Sequence, residues 1–295
     1  MMNDRSKGFA YIAVVYVVAL LAGSFIYRNC ISLGYLIAIA AADFGATVII
    51  WASGVMIRNS SVYDPYWSVA PFVVLILFSC DRGSVSSAGM IMLVAVTLWS
   101  FRLTANWAYT FQSIKYQDWR YDKYRNDFPK LWPLVNFFGI NFMPTVIVYF
   151  AMVPGLILVN GDHAAGPVTY LAFLICLAAV MIQFVSDSKL HRFRKVSSNS
   201  EVCCEGLWRY SRHPNYFGEI LMWWGVFLML LSVDRSMWVT GAGALMNTLL
   251  FVFISIPLME KRQLLNKKGY DEYMLRTNKL IPLSRELFTR GINEH

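Results

Sequence analysis

Pro167-Val-Thr-Tyr-Leu-Ala-Phe-Leu-Ile-Cys-Leu-Ala-Ala-Val-Met-Ile-Gln-Phe-Val-Ser186 contains no charged residue, and Asp187-Ser-Lys-Leu-His-Arg-Phe-Arg-Lys195 follows it at once. A helix of about 20 apolar residues crosses roughly 30 Å of hydrocarbon, and a basic stretch at its end suits the headgroup boundary. The pattern recurs outward from this run. Comparable apolar runs lie at about 8–27, 31–57, 66–80, 87–112, 139–160, 216–233 and 237–257. The third and seventh spans in chain order, 66–80 and 216–233, are short enough to tilt or re-enter. The chain is 57% apolar and 15% charged, against about a quarter charged in soluble domains. The expected fold is therefore all-α: a polytopic integral membrane bundle of seven to eight transmembrane helices with a cytosolic polar cap.

Lys and Arg placement sets the expected orientation, because basic loops stay in the cytosol. With both termini cytosolic, every Lys and Arg falls inside except Arg28, Arg82, Arg235 and the intramembrane Arg102. The net charge of +8 then follows from topology and anionic lipid, with no nucleic-acid partner required. The first span is long, lacks a small-residue cleavage site and reads as retained. This predicts a multi-pass protein of a bacterial inner membrane, or of the endoplasmic reticulum in a eukaryote. Cys30, Cys80, Cys176, Cys203 and Cys204 show no C-x-x-C spacing, so they read as apolar fillers and no metal site is expected. No repeat or linker divides the chain, and residues 1–295 read as a single membrane domain. Its longest polar interruptions, 113–138, 187–215 and the tail from 258, fall on one expected face.

Ionisable groups in hydrocarbon are costly unless they face a partner or a watery cavity. Asp43, in mid-span, suits an interhelical hydrogen bond or ion pair. Asp64, in Ser61-Val-Tyr-Asp-Pro-Tyr-Trp-Ser68, has two readings. It is the N-cap of a helix opening at Pro65, or a general acid beside Tyr63, Tyr66 and Trp67. Arg102 either pairs with Asp43 or Asp64 or meets an anionic cofactor. Asp187, His191 and Arg194 share a helical stripe, which suits a headgroup anchor or a nucleotide's phosphate and ribose. The densest chemistry is Gly206-Leu-Trp-Arg-Tyr-Ser-Arg-His-Pro-Asn-Tyr-Phe-Gly-Glu219. Arg209, Tyr210, Arg212, His213, Asn215 and Tyr216 supply cations, donors and stacking rings. Glu219 enters an apolar run beside Trp223 and needs a donor, for which a ligand is one candidate. No Walker loop, H-E-x-x-H or G-x-S-x-G occurs, and Gly241-Ala-Gly lies inside an apolar span with no preceding strand.

From about residue 58 the chain resembles the steroid 5α-reductase family. The likeness is to its bacterial membrane branch with the 3-oxo-5-alpha-steroid 4-dehydrogenase C-terminal module, of domain-of-unknown-function 1295 type. Gly206-Leu-Trp…Asn215-Tyr-Phe-Gly-Glu219 carries most of the likeness, with Asp187 and Arg194 upstream and Tyr273 and Leu280-Ile-Pro282 downstream. The resemblance implies N-terminal helices at 1–57, a reductase-like core at 58–295 and a cofactor-binding module at about 181–295. It implies an NADPH-dependent oxidoreductase reducing the C=C bond of an apolar enone, such as a 3-oxo-Δ4-steroid or related lipid. It matches Arg102, Asp187, Arg194, Asn215 and Glu219 to cofactor-site or nearby positions, and His191, Tyr210, Arg212, His213, Tyr216 and Arg262 complete the expected cofactor set. Catalysis falls to Asp64 with Tyr63 and Tyr66, and substrate binding to Trp67, Trp99 and Trp223. Two departures stand out. Trp99 replaces the family's tyrosine in the fourth span, and Tyr63 stands where the family has glutamine.

Arg212-His-Pro-Asn-Tyr-Phe-Gly218 also resembles the S-adenosylmethionine segment of isoprenylcysteine and phospholipid methyltransferases. That likeness leaves the Asp64 region without a role. A non-enzymatic sterol-binding or transport protein is the third reading.

Overall fold

The structure, a computed structural model, describes residues 3–283. Arg285 and Arg290 of the basic tail lie outside the described residues. The described residues contain eight helices long and apolar enough to cross a membrane, and no named β-strand. The expected helical membrane architecture is borne out. The two short runs prove longer as helices than as apolar stretches, Ser60–Arg82 and Pro214–Val233. Their polar first turns hide the start of each helix from a hydropathy reading.

The chain divides after His163 into two compact units. The first contains α1 (Asp4–Cys30), α2 (Tyr35–Met56), α3 (Tyr66–Arg82), α4 (Ser87–Thr110), the short α5 (Trp119–Asp127) and α6 (Met143–Asn160). Small residues let α1 and α2 close on each other: a side chain at Gly23 would meet the Ala42 carbonyl at 3.3 Å. Asn3 caps α1, its side chain accepting from the Ser6 amide at 2.8 Å. Asp4 then pairs with Lys115 at 2.6 Å and Arg5 donates to the Ala108 carbonyl at 2.8 Å. The start of α1 thus meets the end of α4, as expected of segments on one membrane face.

Arg58, at φ 57°, turns the chain after α2. Asn59 follows, accepting from the Ser61 amide and donating to the Ile114 and Tyr116 carbonyls at 2.5 and 3.1 Å. Ser60 takes Gln117 Oε1 on its amide and donates its hydroxyl to Asn136 at 2.9 Å. Asn136 lies in a π-helical stretch, Val135–Phe142, which leads into α6. Such a stretch is one place where a helix gives up regular bonding to reach outward, and here Asn141 satisfies the Asn136 carbonyl at 2.7 Å. These bonds hold residues 59–64 against 113–121.

The second unit contains α7 (Pro167–Val196), α8 (Pro214–Val233), α9 (Ala242–Leu250), α10 (Ile256–Asn266) and α11 (Tyr270–Arg276). At 1.5 Å per residue the 30 residues of α7 extend about 45 Å, so its last turns, from Asp187, run past the hydrocarbon. Glycines set the α7–α8 contact. A Cβ on Gly218 would lie 2.8 Å from the Ala179 carbonyl and 2.5 Å from Gln183 Cγ, and one on Gly225 would collide with Cys176 Sγ. Gly218→Ala is therefore expected to cost about 1–3 kcal/mol by forcing the helices apart. Detergent-phase unfolding of the variant checks this; wild-type stability would refute the close-packing account.

Candidate functional site

The first cluster of reactive groups centres on Asp64. Its backbone closes the 3₁₀ turn Ser60–Tyr63, and Pro65 precedes α3 with no side-chain cap. The N-cap reading is therefore corrected: the carboxylate is turned to other partners. Asp64 Oδ1 accepts the Tyr121 hydroxyl at 2.5 Å, a short charge-assisted distance. Tyr121 is buried on α5, and Arg120, held by Asp118 at 2.8 Å, lies 5.7 Å from its ring centre. Burial, then the Asp64 charge, pushes the Tyr121 phenol above its ordinary value, so the proton resides on the phenol.

The expected phenols go elsewhere. Tyr63 bonds Thr145 at 2.9 Å, and Tyr66 donates to Asp43 Oδ1 at 2.6 Å. Asp43 is thus the interhelical hydrogen-bonding group the sequence suggested, with a phenol as its partner. Trp99 is fully buried and packs edge-on against Trp67 at 6.3 Å. Arg102 is half-buried on α4.

The second cluster lies in the other unit, where the motif segment is laced to the tail. Ser211 donates to the Leu280 carbonyl at 2.6 Å, the Arg212 amide to the Asn278 carbonyl at 2.9 Å, and Tyr273 to the Trp208 carbonyl at 2.5 Å. The Arg212 guanidinium, buried, spends Nε on Glu260 Oε1 at 2.7 Å. Its Nη1 reaches the Met274 and Thr277 carbonyls at 2.9 and 2.7 Å. His213 Nε2 meets the same Glu260 oxygen at 3.2 Å, and its ring stacks on Tyr216. In this geometry Arg212 and His213 bind the protein's own tail.

Burial holds the His213 imidazole below its ordinary 6.5; Glu260 opposes the shift, while Arg212 and Lys279 add to it. A depressed folded pKa means that the neutral ring's contribution is complete above about pH 6.5. It is lost as pH falls through the folded value. Stability is expected to be flat above pH 7 and to fall on acidification, by at most about 1.4 kcal/mol per pH unit from this proton, with the melting temperature falling alongside it. His213→Gln should flatten that slope in a pH series of thermal melts, and an unaltered slope would remove His213 as its source.

Beside this clasp, Asn215 donates to Asp187 at 3.2 Å, joining α8 to the end of α7. Glu219 is buried and takes Gln183 Nε2 and Trp223 Nε1, each at 2.9 Å. The donor it was expected to need comes from the protein, so its burial is no argument for a ligand. Trp223 is itself buried. Arg194, Arg209 and Tyr210 are exposed, with Arg209 5.9 Å from the Tyr210 ring centre, and Arg262 is half-buried on α10.

The Asp64 turn and the motif segment both fall within the region in which known proteins resemble this one. A family profile described as a protein of unknown function (DUF1295) matches residues 50–277. The chain belongs to the DUF1295 family. DUF1295 is a steroid 5α-reductase-like family of unknown function. An uncharacterized protein of Schizosaccharomyces pombe is 24% identical over 218 residues, covering 64% of this chain. The chain spans 62% of that relative's length. No solved structure matches.

In this DUF1295 chain, three partners escaped the sequence reading: Tyr121, Gln183 and Glu260. Tyr121 was in view as part of a polar loop rich in Tyr, Trp and charge, yet lies 57 positions from Asp64. Gln183 precedes Glu219 by 36 positions, and its single polar group in an apolar run was the available signal. Glu260 opens the basic tail and was legible only as one charge among many. Among the described residues, no group of three His, Cys, Asp or Glu is placed to hold a metal.

Proposed function

We propose that this DUF1295 chain is an NADPH-dependent membrane reductase acting on the C=C bond of an apolar enone, such as a 3-oxo-Δ4-steroid or related lipid. One observation carries the reading: the 2.5 Å hydrogen bond between Tyr121 and Asp64. Enone reduction needs a proton source at the carbonyl end, and the likeness to steroid 5α-reductases left that place to Trp99, whose indole is no practical acid. A buried phenol on a half-buried carboxyl group fills the need. Methyl transfer to a carboxylate needs no proton source.

The donor set of the second unit suits the cofactor. Arg194 and Arg209 are exposed cations fit for phosphate, Tyr210 is a stacking surface, and Asp187 with Asn215 offers acceptor and donor to an amide or ribose. Bound NADPH would supply the hydride to the β-carbon. With an enone bound, the Tyr121 hydroxyl turns from Asp64 to the carbonyl oxygen, stabilises the enolate and protonates it to the enol; the enol then takes a proton at the α-carbon as it loses the one on oxygen, so the net proton comes from the pair. Solvent at the half-buried carboxyl group restores it. Arg120 beside Tyr121 keeps positive charge near the developing enolate.

The test is thermal stabilisation of the solubilised protein by NADPH against S-adenosylmethionine, followed by turnover. Ligand at 100 times its Kd adds about 2.7 kcal/mol to the folded state. NADPH should raise the melting temperature, and an enone panel should yield products heavier by two hydrogens. Stabilisation by S-adenosylmethionine alone would replace this reading with the methyltransferase one.

A further inference from the structure

The first unit contains a cavity of about 530 Å³ walled by α1, α2 and α3, within the size range of small-molecule sites. It is separate from the Asp64–Tyr121 pair, neither residue of which lines it, and more than half of its lining residues precede position 50, where the DUF1295 match begins. Its walls are apolar: Val17 and Leu20 from α1, Ile39 from α2, Val73 and Leu77 from α3.

Polarity is concentrated at its two ends. At one end, Tyr27 donates to Asp81 at 2.9 Å, with Arg28 beside them, near the ends of α1 and α3. Asp43 and Tyr66 form the other end. Asp43 lies eight residues into α2, about 12 Å along the helix from its start, and Tyr16 lies twelve residues before Arg28, about 18 Å. The inner end therefore lies deep in the span, where an ionisable group is costly without partners.

The hydrogen-bond count at that inner end defines what it lacks. Tyr16 gives its proton to the Val62 carbonyl at 2.8 Å and Tyr66 gives its own to Asp43 Oδ1 at 2.6 Å. Both phenol protons are spent. The second Asp43 oxygen receives no hydrogen bond among the described residues, although the residue is 7% exposed and lines the cavity. An acyl chain of a bilayer lipid entering here would bring a methyl group to a carboxyl group, the worst match available. A fatty acid would bring a second carboxyl group. A hydroxyl on the end of an apolar body both donates and accepts, and so suits Asp43 in either protonation state.

We infer that this cavity binds one lipid alcohol, an elongated apolar body of sterol or long-chain type whose single hydroxyl bonds Asp43. The site lies outside the catalytic pair and stands whether or not the chain reduces enones. It gives α1 and the first two-thirds of α2, which precede the family match, a purpose: they wrap a lipid whose polar end points into the membrane, opposite to the lipids around it.

The probes are tritiated cholesterol and tritiated hexadecanol, with 5α-cholestane and hexadecane as hydroxyl-free competitors. Binding is measured on the full chain in detergent micelles by scintillation proximity. Saturable binding of at least one alcohol at one per chain is expected, with the matching hydrocarbon at least tenfold weaker as competitor. Asp43→Leu, which removes both acceptor and donor, should weaken the alcohol tenfold or more and leave the hydrocarbon unchanged. Val73→Trp, which fills the cavity without touching Asp43, should abolish both. Variants are compared only where their melting temperature shows a folded protein; Leu20→Phe, on the opposite wall, is the second filling variant. Competition by the hydrocarbons equal to that by the alcohols would reduce the cavity to an unselective crevice. Absence of saturable binding by both alcohols, or binding unmoved by both filling variants, would overturn the site. NADPH stabilisation measured on the same preparations reports on the reductase reading independently.

Discussion

Arg212→Met is expected to lower the stability of the solubilised protein by about 3–5 kcal/mol, the usual cost of breaking one side of a buried ion pair. The guanidinium is 8% exposed and makes three bonds, to Glu260 and to the Met274 and Thr277 carbonyls. Removing it leaves Glu260 with His213 alone and strands two carbonyls. Lys should rescue little, because one ammonium on a flexible stem cannot reproduce the fork. The double variant Arg212→Met with Glu260→Leu should recover part of the loss, since an apolar pair leaves no buried charge unmatched. The double variant also separates two roles for Arg212. If Arg212 only clasps the tail, NADPH stabilisation returns in the double variant together with the recovered part of the stability. If Arg212 also touches the cofactor, the fold returns and the NADPH shift does not. A single variant that melts as wild type would refute the clasp.

The clasp shows where sequence reading reached and where it stopped. Helices were legible because each obeys a local rule: a run of about 20 apolar residues, bounded by charge, can satisfy its backbone in hydrocarbon in only one common way. Where the first turn is polar, as at Ser60 and at Pro214, the rule understates the helix. The motif from Gly206 to Glu219 was also visible, but its chemistry was read as outward-facing. Arg212, His213 and Glu219 turn out to be bound by Glu260, Gln183, Trp223 and tail carbonyls. A charged residue's need for a partner is a local fact, whereas the partner's identity depends on which helices pack together. Gly218 shows the same division. Its position in the motif is a sequence fact, whereas its close neighbour, Ala179 of the packed helix, is set by which helices meet. Asp43 was read correctly because a lone mid-span carboxylate has few alternatives to an interhelical bond.

Asp64→Asn should cut enone turnover by roughly a hundredfold or more while leaving NADPH stabilisation intact. An amide keeps the volume and can still receive the Tyr121 hydroxyl, but it neither carries charge nor relays a proton. Tyr121→Phe should cost a comparable factor, because the carboxyl group then loses its 2.5 Å partner and the carbonyl its acid. Groups that act as one unit fail together, so the double variant should be hardly slower than either single one. That non-additivity distinguishes a catalytic pair from two independent supports, whose losses would multiply. Tyr63→Phe serves as the contrast. Its hydroxyl bonds Thr145 at 2.9 Å, away from the carboxylate, and turnover should change by less than a few fold. The bonds from Asn59 and Ser60 to residues 114–117 hold the turn in place in all three variants, so their melting temperatures should stay near that of wild type. Equal losses of turnover in Tyr63→Phe and Tyr121→Phe would deny Tyr121 its special place. Wild-type turnover in Asp64→Asn would remove the pair from the reaction altogether.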